Sequence, residues 1–285
     1  GVGKSVVAAA LARENAQAGF RTLLVELGDT SSYQYVFHDS IKKSIGYEPS
    51  LVEKNLYVAL WSGETCLKEY VEHLVKIRPL VDLFFDNKVM RTFVRAAPAL
   101  KELAILGKVT SGVRNWGPPL PFDRIVVDGF ATGHFMALLK APIGIAELIS
   151  TGPMGEQSKA MQKVLSDPQF TEYLVVTLLE ELPVSETFEL QNELKKWVGQ
   201  EARVVANKYF NSKISQSEYA ELAPQVSEKP LSRWFLSYLK NVDERSASAK
   251  TRLEQLPQRH VELPLVLSTS TLKVIHQLNR EVQFL

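Results

Sequence analysis

The chain opens Gly1-Val2-Gly3-Lys4-Ser5-Val6, a spacing suited to holding phosphate groups. It matches the second half of the phosphate-binding loop GxxxxGK[ST]. Gly1 and Gly3 let backbone N–H groups approach phosphate oxygens. The helix that starts near Ser5 turns its positive end towards them. Lys4 adds a point charge on the terminal phosphoryl group, and the Ser5 hydroxyl is the candidate Mg²⁺ ligand. Val2 and Val6 complete the stretch of backbone around the phosphates. A dinucleotide GxGxxG loop is excluded, because its third glycine would fall at Val6.

A Mg²⁺ site beside such a loop needs a carboxylate at the end of a parallel strand. FDRIVVDG supplies Asp128 at the end of its apolar run. The alternative for Asp128 is a cap on the following turn. The next residues, GFATGH, place Gly129 and Gly133 beside Thr132 and His134, which suits a switch loop sensing a γ-phosphate. His134 alone also fits a structural hydrogen-bonding role. A base reader is expected after the RVVA run, where Asn207 offers a donor and an acceptor to adenine. A guanine reader of the NKxD kind would need a carboxylate where Phe210 stands, so adenine is favoured. A plain strand-end turn is the other reading of Asn207.

These residues must be positioned by alternating strands and helices. Ser5–Gln17 is alanine-rich, with Gly19 where a C-terminal glycine belongs, and TLLVEL follows as a buried parallel strand. Comparable runs stand at Arg124–Val127, Tyr173–Leu178, Arg203–Ala206 and Val261–Leu267. Strands separated by helical pattern imply βαβ units. The expected fold is therefore α/β: a P-loop NTPase with a mainly parallel sheet flanked by helices. The interval from Leu27 to Arg124 far exceeds the dozen or so residues of a plain crossover. Helical texture at Glu64–Arg78 and Val89–Leu106 predicts a helical insertion over about 45–115. A further helical segment is expected over about 212–258, its Trp234, Phe235, Tyr238 and Leu239 reading as core packing. The loop motif begins at its second half, so one P-loop domain lacking its upstream first strand is expected.

Among 285 residues, 33 are basic and 32 acidic, a formal charge of +1 that lacks the basic footprint of a nucleic-acid binder. The single cysteine, Cys66, excludes an internal disulfide and a thiolate-rich metal site within one chain, and fits a cytoplasmic address. Lys140 and Glu147 interrupt the longest apolar run, so no segment reaches the roughly 18 residues of a membrane span.

The combined motifs resemble those of the arsenite-pump-driving ATPases and the related ATPases that target tail-anchored membrane proteins. Within this MinD-like branch of P-loop proteins, the bacterial anion-transporting ATPases are the nearest in pattern. GVGKS is similar to the end of the deviant loop KGGxGK[ST], and DGFATGH at Asp128–His134 to the DTAPTGH switch. VVTLLEELPVSET (Val175–Thr187) and ANKYF also resemble family segments, and the likeness covers essentially the whole chain. It implies ATP and Mg²⁺ as cofactors, bound at Gly1–Val6, Asp128 and Asn207, with Pro264 in the VELPLVL run completing the nucleotide-binding set. It further implies a homodimer that sandwiches ATP, and a membrane protein or transporter as partner. The address would then be cytoplasmic, or peripheral at the inner face of a membrane. The chain departs from the pattern at the DPAH switch, where ELGDTSS puts Gly28 at the Asp position and Asp29 one residue later. Asp29 is thus expected to join Lys4 as a catalytic residue. Glu26 is its rival; strand alternation is expected to point it elsewhere, and a buried structural role is equally open to it, while the alternative for Asp29 is a turn or N-cap residue.

Three functions follow. The first is an ATP-hydrolysing switch that drives a partner step. The second is a targeting factor for apolar transmembrane segments, disfavoured by only four methionines. The third is a nucleotide-bound scaffold with little turnover. Metalloid binding is disfavoured, because Cys66 forms neither a thiol cluster nor a CxxC pair.

Overall fold

The computed structural model of the chain describes residues 1–41, 44–75, 98–118, 120–149 and 151–284. Helix α1 (Lys4–Gln17) leaves the opening loop through Gly3, whose φ of 90° favours glycine. It stops at Gly19, φ 100°, where the Gly19 N–H donates to the Ala16 carbonyl and the Phe20 N–H to the Asn15 carbonyl. That pair of bonds is a Schellman ending, which satisfies the helix's last free carbonyls.

Strand β1 (Thr22–Leu27) follows, buried along its whole length. After the short helix α2 (Tyr33–Val36) come β2 (Ser50–Glu53), β3 (Leu56–Trp61) and helices α3 (Gly63–Val75), α4 (Pro98–Val109) and α5 (Ser111–Arg114). Then follow β4 (Arg124–Asp128), α6 (Thr132–Leu148), α7 (Gly152–Ser166), β5 (Leu174–Thr177), α8 (Glu181–Val198) and β6 (Arg203–Tyr209). Helices α9 (Gln216–Gln225) and α10 (Pro230–Leu253), strand β7 (Val261–Pro264) and α11 (Thr271–Leu278) complete the order.

The α/β expectation holds, with all five expected strands present. Strand β1 lies between β3 and β4, parallel to both, which explains why it is buried along its whole length. Strands β5, β6 and β7 pair in parallel in a second hydrogen-bonded set. The edges of β4 and β5 face each other across a cleft between the sets that α1 and α6 also line. Alternation on β1 sends Leu23, Val25 and Leu27 into one core with α3, α4, α6 and α7, and Leu24 into another with α1 and α11.

Two expectations need correction. The interval from about 45 does not start with helix, because β2 and β3 form a hairpin there, antiparallel to each other. Asn55 turns it with φ 63°, a conformation that asparagine tolerates, and helix begins only at Gly63. The expected helical stretches at Glu64–Arg78 and Val89–Leu106 coincide with α3 and α4 in part, their remainders lying outside the described residues. The second correction concerns the aromatic row on α10. Only its C-terminal half is anchored, through buried Ala249 and Leu253, whereas Leu231, Trp234, Phe235 and Tyr238 stand exposed.

Candidate functional site

Parallel register brings the site together. Glu26, one residue before the end of β1, is the register partner of Asp128, the last residue of β4. Even-numbered positions Leu24 on β1 and Val126 on β4 pack in the α1 core, so Glu26 and Asp128 share that face. The expectation that alternation points Glu26 elsewhere is therefore wrong, and the sequence signal for its true side was the parity it shares with Leu24.

Asp128 is buried and close to Ser5, Tyr33, Lys4 and Glu26. Burial raises its pKa above the usual carboxylate range, and the Glu26 charge adds to the rise. Hydrogen bonds from Ser5 and Tyr33 and the charge of Lys4 oppose it. The Tyr33 hydroxyl lies 2.8 Å from the Ser5 carbonyl and 3.1 Å from Asp128 Oδ2. Burial, with the two carboxylates nearby, pushes its pKa well above that of an ordinary phenol, so it stays a donor. Tyr33 was not foreseen, since a tyrosine in SSYQYVF carries no motif.

Glu26 is only 7% exposed and accepts three hydrogen bonds from the loop that follows its strand. These come from Ser31 Oγ at 2.6 Å, the Ser32 N–H at 2.8 Å and Ser32 Oγ at 2.6 Å. Gly28, at φ 150°, gives its N–H to the Trp61 carbonyl, a backbone path that disfavours any side chain. Asp29 follows it on the exposed side of the loop.

Asn207 reaches the opening loop from the end of β6, its Nδ2 donating to the Val2 carbonyl at 2.8 Å. A Cβ on Gly3 would come within 2.4 Å of that nitrogen, so the contact requires glycine. Asn207 is 4% exposed and its Oδ1 has no partner. One of its two N–H donors is thus committed to the loop, and its buried acceptor is left for a ligand. Lys208, at φ 56°, donates to the Gly1 carbonyl at 3.0 Å. Pro264 pairs with Tyr209 at the end of β7, exposed and two residues along β6 from Asn207.

Gly1, Val2, Lys4, Asp128, Gly129 and Thr132 line the phosphate-loop end of the cleft, whereas Glu26, Tyr33, Asn207 and Pro264 lie outside its lining. Val6 stands in the first turn of α1. Thr132, Gly133 and His134 are not a loop but the exposed first turn of α6, with the Phe130 ring 6.1 Å from His134. Gly129 has little room, since a Cβ there would come within 3.0 Å of Phe135. Among the described residues no group of three or more His, Cys, Asp or Glu is arranged to hold a metal. The residues nevertheless fit Mg²⁺-ATP: Ser5 and Asp128 are hard oxygen donors, Gly3 shapes the cradle, and Asn207 Oδ1 is an orphaned buried acceptor.

The chain matches the family model for anion-transporting ATPases over residues 1–152 and 148–234. It is similar to the ATPase BagA of Mycobacterium tuberculosis, 29% identical over 236 residues that make up 78% of this chain and 66% of that protein. A Halobacterium salinarum protein provisionally named an arsenical pump-driving ATPase is 26% identical over 80% of this chain and 38% of its own length. For an arsenical pump-driving ATPase of Escherichia coli the figures are 26% identity, 68% and 35%. The chain spans less than two thirds of each of these relatives.

Proposed function

The chain belongs to the anion-transporting ATPase family, and from that premise we propose that it binds and hydrolyses Mg²⁺-ATP at the ends of β1, β4 and α1. The observation that carries this reading is the buried Asp128 hydrogen-bonded to Ser5, with the Lys4 charge close by. Bound Mg²⁺-ATP would supply the scissile anhydride and a metal charge that neutralises the phosphate oxygens. Ser5 and Asp128 are the residues that would hold the metal. Lys4 draws charge off the terminal phosphoryl group, and the backbone through Gly1–Val6 binds the remaining oxygens. Asn207 Oδ1 accepts from the exocyclic amine of adenine, where guanine would present a second acceptor. Asp29, on the exposed side of the Gly28–Ser32 loop, orients the attacking water.

The resemblance extends this reading to a homodimer whose opening and closing is coupled to a membrane-linked partner. The exposed row Leu231, Trp234, Phe235 and Tyr238 offers an apolar surface for such contacts. Among the described residues no helix is long and apolar enough to cross a membrane. Nucleotide binding as a signal without turnover is a second reading, favoured by the backbone at Gly28, which replaces the usual carboxylate.

Lys4→Ala tests the proposal. Phosphate release or ATP affinity falls by about 10²-fold or more, because removing one preorganised donor typically has that effect. An unchanged rate and affinity would overturn it. A parent that binds ATP with no phosphate release would favour the signalling reading.

A further inference from the structure

The loop after β1 is held by more than its own backbone. Glu26 accepts from Ser31 Oγ, from the Ser32 N–H and from Ser32 Oγ, all within 2.8 Å. Ser31 Oγ in turn accepts from the Gln34 N–H at 3.2 Å, and Gln34 Oε1 accepts from the Ile45 N–H at 2.6 Å. The next residue after the serines is Tyr33, fully buried and touching both Ser5 and Asp128. The C-terminal end of the loop is therefore pinned twice in succession, at Ser31 and Ser32 to a strand carboxylate and at Tyr33 to the phosphate-loop helix and the end of β4, while its start is held by the Gly28 N–H on the Trp61 carbonyl.

We propose that Glu26 is a positioning residue for ATP hydrolysis: it fixes the Gly28–Ser32 loop, and so the Asp29 carboxylate, against the phosphate site through Ser31, Ser32 and Tyr33. This rests on the function proposed above. Glu26 is not itself a catalytic residue, because its oxygens are already occupied by the loop and the group is closed from solvent. The arrangement explains how a loop with glycine at position 28 holds its next carboxylate steady. A carboxylate on an exposed loop orients water only if the loop has one conformation, since a misplacement of about 1 Å costs roughly 10²-fold in rate. Hydroxyl and amide donors on a buried carboxylate give that definition better than a long surface ion pair, whose two side chains retain their rotational freedom.

The test compares the parent chain with Glu26→Gln, and with Ser31→Ala/Ser32→Ala, which removes the same bonds from the loop side and leaves the strand intact. Steady-state hydrolysis, ATP affinity, thermal midpoint and amide hydrogen exchange over residues 28–34 are measured on all three. Both variants should lower kcat by about tenfold or more while ATP affinity stays within about twofold, the pattern of an interaction made in the transition state. Exchange over 28–34 should rise while the midpoint holds. In a Glu26→Gln/Asp29→Asn double variant the losses should not multiply, since both act through one loop. Parental kcat in the two loop variants, a kcat loss matched by equal loss of affinity, or multiplying losses would each overturn the proposal alone. A parent that binds no Mg²⁺-ATP would overturn the functional reading and this proposal with it.

Discussion

Beside β3, Lys108 Nζ sits 2.8 and 2.9 Å from the two Glu69 oxygens and 3.9 Å from the centre of the Tyr47 ring, with Cys66 and Trp61 packed around it. At the ends of β1 and β4, by contrast, Glu26 and Asp128 lie in register on neighbouring strands, and neither forms an ion pair among the described residues. The first cluster is closed: its acid, base and rings satisfy one another. The second sets two carboxylates side by side, with Asp128 hydrogen-bonded only to hydroxyls and the nearby Lys4 charge offsetting its burial without an ion pair. A closed cluster serves stability. An open one is what a cation-dependent site requires before its ligand binds.

The sharpest way to break this contrast is to open the closed cluster. Glu69→Ala leaves the Lys108 ammonium, 10% exposed, without its counter-ion. Unfolding in urea should show a loss of about 3 kcal/mol, the low end for a broken buried pair because Glu69 itself is 27% exposed. ATP affinity of the folded protein should be unaffected. A loss below about 1 kcal/mol would mean that the cluster is not a stabilising unit.

A smaller effect is expected at Asn207. Asn207→Ala removes the buried acceptor offered to adenine, and the preference for ATP over GTP in competition binding should fall about tenfold. That matches the roughly 1 to 3 kcal/mol of an unpaired buried polar group. Retained preference would place the base elsewhere.

The smallest effect is expected from arsenite, which should leave activity unchanged. Burial pushes the Cys66 thiol from its ordinary 9.0 up to about 12, and a soft metalloid prefers thiolate. Because the folded pKa is the higher one, the thiol's contribution to stability is fully present below pH 9. It is lost as pH rises towards about 12, which a pH series of unfolding curves would show. Arsenite stimulation abolished by Cys66→Ser would break the contrast from the other side.

Local chemistry was legible without coordinates. The Gly-Lys-Ser turn, the alanine-rich helix, its Gly19 ending and the apolar run of β1 each depend on residues within a few positions of one another. Asp128 could be found because an apolar run ending in Asp is itself a local pattern. The hairpin of β2 and β3 has a local signal too, in Asn55 at the turn between its two strands.

What the tertiary structure alone decided is which distant residues meet. Tyr33 and Asp128 are 95 positions apart, and Asn207 and Val2 are 205 apart. Their contacts depend on strand register and on the side of the sheet that each residue faces. The register of β1 against β4 turned Glu26 from a rival for Asp29 into the anchor of its loop. The exposure of Trp234 and Phe235 was likewise decided by what packs against α10, because a helical stripe of aromatics has the same spacing whether it meets a core or solvent.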